Sequence, residues 1–226
     1  MLHLICCGFK SGQYMMNAVH ARCVESIPAQ TLPDSEYVVH VSEDTDSDRQ
    51  YLLHNTHRTV AMANPSPDDV LVFIDLDDFL CDEDALLRIK QAYDKQSDLL
   101  LTYGTCCNLS NGKRSKFSGA YKDGENFRTS PWRATHLKTM KAKLFDAIPD
   151  ECFKDQNGQW FKCAADRAMM IPAMEIAGHK RIKHMELVSY CYNDRNPLSV
   201  WNTNKLESKA VREYISRQEP ITGVVV

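Results

Sequence analysis

Short apolar runs alternate with amphipathic stretches through the first half of the chain, and this rhythm predicts strand–helix units. Leu2 to Cys7 reads as a short buried strand closing at Gly8, with Ser11-Gly12 as a loop. Met15, Val19, Cys23 and Ile27 recur at roughly helical spacing, which predicts a helix from Tyr14 to Ile27 ended by Pro28. Tyr37 to Val41 is a β-branched strand followed by an acidic loop, Ser42 to Asp48, and a helix from Tyr51 to Ala63 stops at Asn64-Pro65. Val70 to Ile74 is apolar throughout, as expected of a strand covered on both faces. A helix from Asp82 to Gln96 carries three carboxylates in its first turn, where the helix dipole favours anions. Leu99 to Tyr103 is the next strand. Alternation of this kind predicts an α/β domain with an open, mostly parallel sheet and helices on both faces. The pattern weakens after Gly104. Residues 105–135 hold turn signals but little periodicity, and Ala164 to Ala177 is the next convincing helix. Glu186 to Tyr192 is the last convincing strand, and Leu206 to Arg217 is a polar helix before a tail.

Composition changes this picture little. The 226 residues are 43% hydrophobic and 25% charged, close to the globular average, and no repeat or linker divides them. One domain over 1–226 is expected: nucleotide binding to about 104, an acceptor and catalytic part over about 105–200, then a C-terminal helix and tail. A net charge of −3 gives no broad nucleic-acid footprint. No run of about 18 apolar residues is present to span a membrane. Nine cysteines, two pairs of them adjacent and none in a Cys-x-x-Cys spacing, suggest packing thiols in a reducing compartment, so a cytoplasmic protein is expected.

The chemistry gathers behind the apolar strand at 70–74. Ligands of open α/β sheets bind beyond the carboxyl ends of the strands, where Asp75, Asp77 and Asp78 follow one another. Asp75 and Asp77 are two residues apart, so in extended chain they project to one side, roughly 6–7 Å apart. Two hard oxygen ligands so placed can share a Mg²⁺ or Mn²⁺ that also holds a diphosphate. A helix cap accounts for one carboxylate but not for three behind an apolar strand. Tyr121 to Lys143 concentrates Trp132, Arg133, His136, Lys138, Lys141 and Lys143. Arg133 and Lys138 are candidates to hold the phosphates of a departing diphosphate. His136 is a candidate to complete a metal shell with Asp75 and Asp77, or else a hydrogen-bonding histidine.

These residues resemble the family 2 glycosyltransferases of the GT-A fold. Cys23, Ser26, Gln30, Thr31, Glu36 and Val39 fall where that family has Cys-x-x-Ser-x-x-x-Gln-Thr-x-x-x-x-Glu-x-x-Val. Phe73-Ile74-Asp75-Leu76-Asp77-Asp78-Phe79-Leu80 is similar, without gaps, to its Phe-Leu/Ile-Asp-x-Asp-Asp-x-Leu element. The resemblance implies an inverting, metal-dependent hexosyl transfer from a UDP-, GDP- or dTDP-sugar, with Asp75 also on the donor side. It implies that Glu43 and Asp44 contact the nucleoside, with Ser42 standing where an Asp is common. Arg58 stands in for a donor-binding arginine of the family. Asp166 matches the Asp of a Glu-Asp pair that serves as catalytic base, with Ala165 in place of the Glu. Tyr190 to Ser199 falls where the family closes its site with a loop.

Other classes stay open. A haloacid-dehalogenase-like phosphatase would use Asp75 as nucleophile, but its motif continues with Gly and Thr or Ser where this chain has Asp78 and Phe79. A nucleotidyltransferase would need a glycine-rich loop, of which Gly8 to Gly12 is a poor version. A non-catalytic nucleotide- or sugar-binding module would not need Asp166. The acceptor is left undetermined: glycan, lipid carrier, protein or modified nucleobase.

Overall fold

The structure is a computed structural model that describes residues 1–10, 16–45 and 47–226, without the side chains of residues 10, 16–20 and 201. The expected loop at Ser11-Gly12, the helix start at Tyr14 with Met15 and Val19, and Asp46 of the acidic loop lie outside the described residues or side chains.

Seven strands form one sheet: β1 (Leu2–Lys10), β2 (Tyr37–Thr45), β3 (Val70–Asp75), β4 (Phe79–Leu80), β5 (Leu101–Asn108), β6 (Thr135–Lys141) and β7 (Ile182–Tyr192), in the order β2-β1-β3-β6-β5-β7-β4. β1 pairs in parallel with β2 and β3, and β5 with β7. The other three ladders, β3–β6, β5–β6 and β4–β7, are antiparallel. The sheet is therefore mixed, which corrects the expectation of a mostly parallel one. The correction comes from β6, which lies in the stretch where periodicity fades. Its sequence, Thr-His-Leu-Lys-Thr-Met-Lys, looks polar, yet five of its seven residues are buried. Thr139 satisfies its hydroxyl on Tyr93 (2.8 Å) and Thr102 (2.7 Å), so a buried strand can carry polar groups without loss.

Two glycines that read as strand ends are close-approach points instead. A Cβ on Gly104 would lie 2.4 Å from the Leu137 nitrogen, and one on Gly8 would lie 2.6 Å from the Leu76 Cβ. Both strands run through their glycine, because only glycine lets the neighbouring chain pass. β2 likewise continues through Ser42-Glu43-Asp44, so those residues end a strand and do not begin a loop.

Alternating strand residues bury two separate cores. Leu4, Cys6, Val72 and Ile74 pack with Cys23 of α1 (Met16–Ser26), with Ile27 just past its end, and with Leu86 and Ile89 of α3 (Ala85–Lys95). Ile5, Cys7, Leu71 and Phe73 face the other way, against Leu53 and Val60 of α2 (Tyr51–Ala63), Leu144 of α4 (Ala142–Asp146) and Met170 of α5 (Ala165–Ala177). Helices thus cover both faces, as alternation requires. After β7, a turn leads to α6 (Val200–Thr203) and α7 (Lys205–Arg217). The expected free tail is docked: Ile221, Val224 and Val226 pack against the core, and Arg181 Nη1 donates to the Val226 carbonyl (3.3 Å). No described helix is long and apolar enough to cross a membrane.

Candidate metal centre and donor site

Asp75 ends β3, and the topology decides what meets it. In the β3–β6 ladder Phe73 pairs with Lys138, so the same register continued by two residues sets His136 opposite Asp75. Because β6 is antiparallel to both β3 and β5, the carboxyl ends of β3, β5 and β7 share one edge. At that edge ligand atoms of Asp75, Asp78 and His136 all lie within 4.8 Å of one another, the one such group among the described residues. His136 Nε2 is 3.9 Å from Asp75 Oδ2 and 3.0 Å from the ammonium of Lys138, which is itself buried. The imidazole stacks on Tyr190 (4.7 Å between centroids) and lies 6.0 Å from the Tyr192 ring.

The electrostatics are those of a site short of positive charge. Burial, opposed by Lys138 and reinforced by Asp77 and Asp166, raises the Asp75 carboxyl to about 7. Burial beside Asp77 and Asp75 lifts Asp78 well above the usual carboxylate range. Burial and Lys138 push His136 well below an ordinary histidine, so its ring is neutral, and its Nε2 accepts from the Lys138 ammonium. Among the described residues, two buried side-chain polar atoms have no hydrogen-bond partner: Asp78 Oδ2 and His136 Nδ1. Both belong to the three-residue group. Two carboxylates and a neutral imidazole form an oxygen-rich donor set suited to a Mg²⁺- or Mn²⁺-type cation.

The other expected residues divide. Asp77 sits beside the group with Oδ2 accepting from Asn196 Nδ2 (2.7 Å), and burial raises its carboxyl as well. Asp166, in the first turn of α5, accepts from the Arg167 backbone N–H, and its charge helps to raise Asp75 and Tyr192. The fold thus carries a residue from the C-terminal half to the carboxylate cluster. Glu43 and Asp44 end β2 at the same sheet edge, aligned with Gly8 and Phe9 of β1. Asp44 is buried and already accepts from the Tyr51 N–H and from Asn55 Nδ2, both at 2.6 Å, so it holds the start of α2. Arg58 donates to Ser42 (3.3 Å) and Asn55 (3.4 Å) on α2.

Arg133 is engaged elsewhere: it pairs with Glu125 and lies 5.3 Å from the Tyr121 ring. Lys141 and Lys143 pair with Asp68. The basic stretch is therefore split, with only His136 and Lys138 turned toward Asp75. Trp132 is half-buried under the Arg167 guanidinium (5.1 Å). The sequence placed Tyr190, Tyr192, Asn193 and Asn196 only within a closing loop and gave Asp78 no ligand role. Asp78 was in plain view as the last acid of the motif, but its role needed the position of His136. Two clefts of about 390 and 380 Å³ open along the first half of β7 and include none of the carboxylates of residues 75–78.

No protein-family model and no curated protein matches the sequence. Solved structures do match the fold. S. aureus TarS superposes with a TM-score of 0.60 at 12% identity, over 95% of this chain and 42% of that one. Its 1–349 fragment in complex with UDP gives 0.54 at 13% identity, over 96% and 67%, and in complex with UDP-GlcNAc 0.55 at 12%, over 87% and 59%. The chain therefore spans less than half of the first TarS chain it matches, and what the two share at this identity is a fold, which in this chain is a single α/β domain around a mixed seven-stranded sheet.

Proposed function

We propose that this chain is a metal-dependent, inverting glycosyltransferase that moves a sugar from a nucleotide-sugar donor to an acceptor hydroxyl. The observation that carries the reading is the pair of orphaned buried atoms, Asp78 Oδ2 and His136 Nδ1, in the one group among the described residues whose ligand atoms could share a cation. Asp75, Asp78 and His136 would hold it, with Asp77 the adjoining carboxylate. A divalent cation there would supply Lewis-acid stabilisation to a departing diphosphate. The complexes of TarS with UDP and UDP-GlcNAc support a uridine nucleotide sugar as the first donor to try.

In this reading the chain's own groups have separate tasks. Lys138 is a buried cation beside Asp75, placed to meet phosphate charge. Glu43 lies at the nucleoside end of the same edge, with Asp44 shaping the α2 start behind it. Asp166 takes the proton from the acceptor hydroxyl as that oxygen attacks the anomeric carbon from the side opposite the diphosphate. It stands in the first turn of α5, close enough for its charge to act on Asp75.

Thermal stability measured with UDP, GDP, dTDP and their sugars, with and without Mn²⁺, tests the reading. A true donor at 100 times its Kd adds about 2.7 kcal/mol, so one nucleotide should stand out, and only with metal. A panel with no metal-dependent shift overturns the proposal.

A further inference from the structure

The acidic residue that ends β3 and the two in the turn after it are all tied to one short stretch of chain at the end of β7. The Asp75 N–H donates to the Tyr190 hydroxyl (3.0 Å), the Asn193 N–H donates to Asp78 Oδ1 (2.7 Å), and Asn196 Nδ2 donates to Asp77 Oδ2 (2.7 Å). Asn193 and Asn196 are each 7% exposed, well buried for amides in a turn. The orientation of the Asn196 amide is not arbitrary. Its Oδ1 accepts from the Leu198 N–H (2.9 Å), which can only donate, so Nδ2 must face Asp77, which as a carboxylate can only accept. The Asn196 carbonyl in turn accepts from Asn202 Nδ2 (2.9 Å), anchoring the turn to α6.

A neutral amide orients a carboxylate without cancelling its charge. Asp77 keeps a raised pKa despite this bond, because burial outweighs it. Its Oδ2 is pinned by this bond, and the carboxylate also accepts from its own backbone N–H. We propose that Asn196 is a positioning residue for the metal cluster, fixing Asp77 so that it meets a divalent cation, or a hydroxyl beside it, through one oxygen in one orientation. This rests on the metal reading above. Groups that orient a metal ligand from behind typically matter about 10–100-fold in metal affinity.

Asn196→Ser tests this cleanly. The serine hydroxyl can still accept a nearby backbone N–H and keep the turn, but it is too short to reach Asp77. Asn196→Ala is the second variant, and Asn202→Ala is the control, since it loosens the same turn without touching Asp77. Mn²⁺ binding is read directly, from the electron paramagnetic resonance signal of free Mn²⁺ during titration of the full chain. Asn196→Ser and Asn196→Ala should each weaken Mn²⁺ binding about tenfold or more, with Asn202→Ala within about twofold of wild type whatever its melting temperature. Wild-type-like binding by both Asn196 variants overturns the inference alone, as does an equal loss in Asn202→Ala, which would make the role structural. A wild-type chain that takes up no Mn²⁺ overturns the metal reading and this inference together.

Discussion

Asp78 and His136 each bury a polar atom without a well-formed hydrogen bond, with the Tyr190 hydroxyl near the Asp78 carboxyl, and such atoms cost about 1–3 kcal/mol apiece when unsatisfied. A cluster that is costly when empty and useful when filled trades stability for function. Asp78→Asn removes the buried ionisable carboxyl while keeping an acceptor for the Asn193 N–H. It should raise the melting temperature of the metal-free protein and abolish Mn²⁺-dependent nucleotide binding, both visible in one thermal-shift series. A lower melting temperature would mean that the carboxylate is structural.

Asp75 has a pH signature of its own. Its folded pKa, about 7, lies above the ordinary carboxylate value of 3.8, so the folded state binds the extra proton between those values. Its contribution to stability is complete below pH 4 and is lost as pH rises through about 7. Metal-free wild type should therefore lose stability across that window. Asp75→Asn should flatten this part of the profile, as measured by urea unfolding at a series of pH values. Asp166 makes the kinetic test at this scale. Losing a general base costs about 10²–10⁴-fold in turnover, whereas losing a helix-end carboxylate costs about 1 kcal/mol of stability. Asp166→Asn should bind donor and Mn²⁺ normally yet transfer sugar at least about a hundredfold more slowly. Turnover within threefold of wild type would remove it as the base.

Among the elements, β6 has the most consequences. It fills the gap between β3 and β5, and its start delivers His136 and Lys138 to the carboxyl edge. Its close passage over Gly104 is the weak point. Gly104→Ala would drive a methyl to 2.4 Å from the Leu137 nitrogen, and backbone cannot swing aside as a side-chain tip can. Overpacking of this kind typically costs about 1–3 kcal/mol, and here it should also weaken Mn²⁺ binding, because Leu137 adjoins His136. Loss of stability with unchanged Mn²⁺ affinity would show that β6 can shift without moving the histidine. The segment 105–135 hid its strand end because Cys106 and Cys107 follow a glycine, the usual punctuation of a loop. β6 hid because its threonines bond groups outside the strand and Lys138 bonds His136, and periodicity registers only side-chain polarity.

Across the whole molecule, two cores on opposite faces of one sheet leave the carboxyl edge as the place where loops from both halves of the chain converge. Chemistry at that edge separates the classes still competing. A transferase should release nucleoside diphosphate from its nucleotide sugar, slowly even with water as acceptor, and should form no covalent aspartyl adduct with beryllium fluoride. Mass spectrometry that finds the adduct on Asp75 would transfer the assignment to a phosphatase. The sequence by itself determined the strand–helix alternation as far as β3, the apolar strand with its three acids, and the helix that Asp166 opens. Each of these is written in residues a few positions apart, and local periodicity and helix-end electrostatics suffice to read them. The tertiary structure alone decided that β6 runs antiparallel, that Asp78 and His136 join Asp75 while Arg133 does not, and that Asn196 holds Asp77. Those outcomes depend on which distant groups satisfy a buried strand or a buried carboxylate, and no local pattern records a partner chosen across the sheet.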